Sequence, residues 1–149
     1  MEYLNMQPVA LGAIGWDQPA WSSNFYPADM PADWHLTFYN TQFACVFLPA
    51  ETWRQAGTPA YTTWAADTHE EFMFLLEGAR PEELPGELAG RVRGVDRNDP
   101  ALIWFDRETP LKALAARITQ SEAPRYLLSA DGDLGQIERV RTLLELLGL

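Results

Sequence analysis

The sequence predicts an α/β fold in which about five mostly parallel strands alternate with helices. Three observations lead to this. Short apolar runs recur along the chain and end at Gly, Pro, Asn or Asp signals, as buried strands do. Stretches with helical spacing of apolar residues separate those runs, and strands that alternate with helices imply right-handed parallel βα units. Finally, 149 residues suit one core, since single domains run to about 100–200 residues. The prediction is one domain over residues 1–149, without linker or internal repeat.

Taken in order, Val9 to Ile14 is an apolar run ending at Gly15, which reads as a buried strand leaving the core at a sharp turn. Pro19, Pro27 and Pro31 mark a loop. From Trp34 to about Phe43, Leu36, Phe38, Asn40 and Gln42 alternate with Thr37, Tyr39, Thr41 and Phe43, the pattern of a second strand with two amides near its exit. Pro49 opens a helix to Ala56, and Gly57 is placed as its stop. Thr58 and Pro59, as N-cap and first helical residue, restart it through about Ala66. Phe72 to Leu76 is the third strand. Pro81 to Val92 is weakly helical, because Pro85, Gly86 and Gly90 interrupt it.

After Asp99-Pro100, Ala101 to Phe105 forms the fourth strand. A helix follows, capped by Thr109 and started by Pro110, with Leu111, Leu114, Ala115 and Ile118 in one stripe. Arg125 to Leu128 is the fifth strand. Asp133 and Gln136 have capping-box spacing at the start of the last helix, whose Leu134, Ile137, Val140, Leu144 and Leu147 face inward and which Gly148 closes. In such folds ligand sites lie in the loops after the carboxyl ends of strands.

The net charge of -10 is uneven: residues 1–79 hold nine acidic side chains and one basic one, and also five of the six tryptophans. Affinity for nucleic acid comes mainly from Lys and Arg neutralising phosphates, so no nucleic-acid surface is expected. Carboxylates beside aromatic faces suit sugars or cations better. The alternative is that acids keep the protein dissolved while aromatics fill its core. No apolar run approaches the roughly 18–20 residues that span a bilayer. The chain begins Met1-Glu2 and its first basic residue is Arg54, so no secretory leader is expected and the expected location is cytoplasmic. Cys45, the lone cysteine, lies among Phe43, Ala44, Val46 and Phe47 and is expected to be a buried thiol.

The segment Gly12-Ala13-Ile14-Gly15-Trp16-Asp17-Gln18-Pro19-Ala20-Trp21-Ser22-Ser23-Asn24-Phe25-Tyr26-Pro27 resembles the opening of the YecE-like family of unknown function. That pattern reads roughly Gly-x-Ser-Gly-Trp, then Tyr, Trp and Phe-Tyr-Pro at the same separations. The resemblance covers mainly residues 12–49 and 64–74, where Trp64, Thr68 and Phe72-Met73-Phe74 follow the family's approach to its third strand. It implies a (β/α)8 type of barrel, which typically takes about 250 residues. The present chain is therefore expected to be a shortened, divergent relative with a partial or reduced TIM-barrel-like fold. Asn40 and Gln42 occupy the family's acid and amide positions on the second strand. Leu76-Glu77 stand where the third strand usually ends in Lys, and Ala28 to Asp33 leave little room for a first crossover helix.

For catalysis on sugars, two carboxyl groups must face each other across a cleft. Asp17 and Asp106, near the predicted ends of the first and fourth strands, are the weak candidates, although Asp106 also suits a simple turn before Thr109. The balance of the sequence is against an enzyme. His35 and His69 lie in no ligand-spaced motif, Asp131-Gly132-Asp133 lacks the rest of a calcium loop, and Gly12-x-x-Gly15 lacks a dinucleotide fingerprint; no metal and no cofactor are expected. Two readings remain. Trp16, Asp17, Trp21, Tyr26, Asn40 and Gln42 are the residues of a pocket for a small polar ligand, sugar-like or cationic, unless Trp21, Phe25 and Tyr26 plug the barrel end instead. In the other reading, the open edges of a partial barrel are covered by a homodimer or by a protein partner.

Overall fold

In the computed structural model, which describes residues 9–121 and 125–149, the first strand, β1, spans Val9–Ile14. Met1-Glu2, on which the expectation of a leaderless start rests, lies outside these residues. The other strands are β2 (Cys45–Leu48), β3 (Met73–Glu77), β4 (Val92–Val95), β5 (Leu102–Phe105) and β6 (Arg125–Ser129). All five strand pairs are parallel, in the order β4-β3-β2-β1-β6-β5. Four helices, α1 (His35–Gln42), α2 (Ala50–Ala66), α3 (Leu111–Gln120) and α4 (Leu134–Leu146), join them. The expected α/β class is present, with one strand more than predicted.

Successive residues of a strand point to opposite faces, and both faces here are apolar. One carries Leu11, Ala13, Val46, Leu48, Phe74, Leu76, Ile103, Phe105 and Leu127 in the same core as helix residues Leu36, Trp53, Leu114 and Val140. The other buries Cys45, Phe47, Leu75, Val95, Leu102 and Leu128 against one another. Neighbouring strands lie about 4.8 Å apart, so in a flat sheet β2 and β5, three positions apart, would be separated by roughly 14 Å. Phe47 of β2 and Trp104 of β5 instead meet edge to face with ring centroids 5.1 Å apart. Arg93 of β4 lies 5.9 Å from the ring of Tyr126 on β6, although four steps of the sheet separate those strands. The sheet is therefore curled into a half-barrel whose concave face is filled by its own side chains. Gly12 lets β1 and β2 approach closely, since a Cβ there would stand 2.3 Å from the carbonyl oxygen of its register partner Cys45.

The predicted second strand over 34–43 is a helix. Leu36 and Tyr39 are its buried residues and Phe43, buried as well, is its C-cap; their spacing of three and then four puts them on one side of the helix. A 3-10 turn at Ala32–Trp34 leads into it, so the first crossover does contain a helix, placed later than the Ala28–Asp33 segment from which the sequence reading excluded one. The second strand is instead Cys45–Leu48, completely buried. Within α2 the break falls at Gly57, whose φ of 79° and ψ of 173° are not helical, with Pro59 just beyond it, as the sequence predicts.

Between β3 and β4 the chain makes only 3-10 turns, at Pro81–Glu83 and Gly86–Leu88, where a weak helix was expected. β4 was not foreseen. Thr109 does not cap α3; its hydroxyl bonds Asp106, and Pro110 precedes the helix without a side-chain cap. At α4 the expected cap does form, Asp133 accepting from the Gln136 amide at 2.8 Å.

Candidate functional site at the carboxyl ends of the strands

β1 leaves the sheet at Gly15, whose amide still reaches the Phe47 carbonyl at 2.9 Å. The aromatic loop then folds back into the helix layer. Trp21 is fully buried, stacks on Tyr39 and Phe43, and donates its indole N–H to the Gly132 carbonyl at 2.9 Å. Phe25 packs against it, and Tyr26 is 4% exposed with its hydroxyl bonded to the Trp16 carbonyl. Burial, and then the charge of Asp17, push the Tyr26 phenol well above its ordinary range. Trp16 meets Trp64 of α2 edge-on, centroids 5.3 Å apart. Trp21, Phe25 and Tyr26 thus fill space beneath α1 and beside the α4 loop, away from the concave face.

Asp17 is exposed and pairs with His35 Nδ1 at 3.1 Å, and the His35 ring stacks on Tyr26. This partner was missed because the 34–43 segment was read as a strand; a helix starting at residue 35 brings His35 to the Asp17 end of the sheet. Asn40 and Gln42 lie at the far end of the same helix. Asn40 donates to the Phe43 carbonyl at 3.2 Å and accepts from the His69 amide at 2.7 Å, just ahead of β2 and β3. Gln42 is exposed, and its carbonyl accepts from Arg141 at 2.7 Å. The structure therefore groups Trp16, Asp17 and Tyr26 where strands end, holds Trp21 in the core, and sets Asn40 and Gln42 where strands begin.

Asp106, after β5, accepts from the Glu108 amide at 2.9 Å and from the Thr109 hydroxyl at 3.2 Å, which is an Asx turn. Its carboxylate and that of Asp17 are each engaged by their own neighbours. Asp131, after β6, feels a burial penalty that raises it. Hydrogen bonds from the Arg107 and Asp133 amides and the Ser129 hydroxyl outweigh that penalty and hold it below the ordinary carboxylate value. Cys45 is buried, and burial pushes its thiol far above its ordinary value, so little nucleophilic thiolate forms.

The mouth of the half-barrel is occupied by a pair that the sequence reading did not single out. Glu77, at the end of β3, accepts from the Ala50 amide at 3.1 Å and from Arg97 Nε at 2.9 Å. The Arg97 guanidinium lies 5.0 Å from the Phe47 ring and 5.9 Å from that of Trp104, and the Trp104 indole donates to the Arg97 carbonyl at 2.8 Å. A cation over two ring faces with a carboxylate partner covers the concave core where an open barrel would admit a ligand. The only hint in the sequence is that Leu76-Glu77 stand where the resemblance would place a lysine at the end of the third strand.

Among the described residues, no group of three or more His, Cys, Asp or Glu is placed to hold a metal ion, and no helix is long and apolar enough to cross a membrane. No curated protein and no solved structure matches the chain. Residues 10–81, from β1 through the first residue after the β3 exit loop, match the family described as "Protein of unknown function DUF72". That is the YecE-like family which the opening loop resembles, and the match covers one segment, just under half of the chain, as a divergent relative's would.

Proposed function

We propose that this chain is an interaction domain without chemistry of its own, and that it self-associates along β4. The observation that carries this reading is the difference between the two edges of the sheet. In the β3–β4 register, Phe74 bonds Arg91 and faces Val92, so Arg91, Arg93 and Val95 turn their peptide groups towards β3. Val92 and Gly94 turn theirs outward. The β5 edge is covered by its own chain: the Leu102 amide donates to the Asp99 carbonyl at 2.9 Å, and the Trp104 carbonyl accepts from Arg117 at 3.2 Å. An edge strand with free peptide groups is a template for another strand, and two copies of β4 related by a two-fold axis would satisfy each other. The filled mouth and the locally engaged Asp17 and Asp106 favour binding over catalysis.

Proline at position 92 removes an amide that β3 does not use, a substitution an edge strand tolerates. Light scattering of the whole chain at micromolar concentration should give a dimer, and Val92→Pro should give a monomer with an unchanged circular dichroism spectrum. A wild-type chain that stays monomeric throughout that range would end the self-association reading.

A further inference from the structure

A groove of about 750 Å³ opens on the outer, helical side of the molecule, between the turn before α1 and the end of α2. Its volume lies within the range of small-ligand sites. Trp34 lines it and is 63% exposed, one of only two large apolar side chains so exposed among the described residues. Met30 and Phe38 supply further apolar wall, and Asp33 and Asp67 supply two carboxylates. No Lys, Arg or His lines the groove, and the segment up to residue 79 contains a single basic residue, Arg54.

Several acids elsewhere in the fold are compensated by their neighbours. Asp17 pairs with His35, Glu77 and Asp99 pair with arginines, and Asp131 is bonded by amides. Asp33 and Asp67 have no ion-pair or hydrogen-bond partner among the described residues. Two uncompensated carboxylates and an indole face open to solvent share one cavity. An indole face attracts a cation, and most strongly one that is weakly hydrated.

We infer that the groove formed by Trp34, Phe38, Asp33 and Asp67 binds a small aliphatic organic cation, with an ammonium group held over the indole and between the carboxylates. The inference goes beyond self-association through β4 and is independent of it, because none of these residues belongs to the sheet edge.

The test is calorimetric titration of the full chain with putrescine, with glucose as the uncharged comparison. Saturable putrescine binding is expected, weakening as salt is added, while glucose gives none. Trp34→Ala should weaken binding by roughly tenfold, the change that about 1.4 kcal/mol of cation–π attraction represents. Asp33→Asn and Asp67→Asn should each weaken it several-fold. Because these side chains are on the surface, the variants should keep the wild-type melting temperature, which separates loss of the site from loss of the fold. Failure of putrescine to saturate, equal binding of glucose, or affinity unchanged in Trp34→Ala would each overturn the inference. Val92→Pro should bind putrescine like wild type, so the groove and the β4 edge stand or fall separately.

Discussion

At the scale of single residues, the tightest local arrangement is Tyr39. Its hydroxyl accepts from the Ala13 amide at 2.9 Å and donates to the Cys45 carbonyl at 2.7 Å, joining β1, β2 and α1 at one fully buried point. Burial, the largest influence, pushes its phenol far above the ordinary value, so it remains a neutral donor and acceptor. Tyr39→Phe keeps the ring stacked on Phe43 but withdraws a partner from two buried backbone groups. Leaving a buried polar group unpaired costs about 1–3 kcal/mol, so a loss of about 2 kcal/mol is expected, read as a lower urea midpoint at unchanged slope. A loss below roughly 0.5 kcal/mol would mean that the backbone groups re-pair without the hydroxyl. Tyr39 was invisible as a structural hub in the sequence because its partners are backbone atoms, which carry no residue identity.

At the scale of elements, local punctuation was legible where backbone chemistry decides, and misleading where tertiary burial decides. Gly57 and Pro59 marked the break in α2, and Asp133 marked the start of α4, because a cap or a non-helical φ/ψ is a property of a few adjacent residues. The 34–43 segment failed this test. Its threonines and aromatics favour strands, and its alternation mimicked one, but burial of Leu36, Tyr39 and Phe43 against the sheet outweighs those weak preferences. β4 escaped notice because Val92-Arg93-Gly94-Val95 interrupts its two valines with a cation and a glycine; pairing with β3 makes it a strand. The candidate site suffered from the same error, since Asn40 and Gln42 were assigned to the exit of a strand that is a helix running the other way. The Gly57 backbone lies in a region that almost only glycine occupies, where another residue costs about 1–3 kcal/mol. Gly57→Ala should therefore lower stability by about 2 kcal/mol in thermal or urea unfolding, and a stabilised variant would show instead that α2 can run straight through.

At the scale of the whole molecule, the unit recognisable in the sequence is smaller than the unit that can fold. The family match ends at residue 81, while β1, at the centre of the sheet, pairs with β6 over Val9 to Ala13. The concave core needs Val95, Leu102, Trp104 and Leu128 beside Cys45, Phe47 and Leu75, and the Trp21 indole is held by Gly132. Removing one buried leucine side chain costs about 2–5 kcal/mol. A domain has only about 5–15 kcal/mol of net stability, so losing this whole complement together exceeds what the rest can supply. A chain ended at Pro81 should show no cooperative urea transition and no dispersed amide spectrum, although every residue of the family segment is present. A cooperative transition from that fragment would mean that β1 to β3 with α1 and α2 fold without β6, and that the curled sheet is assembled from separable halves rather than around one shared concave core.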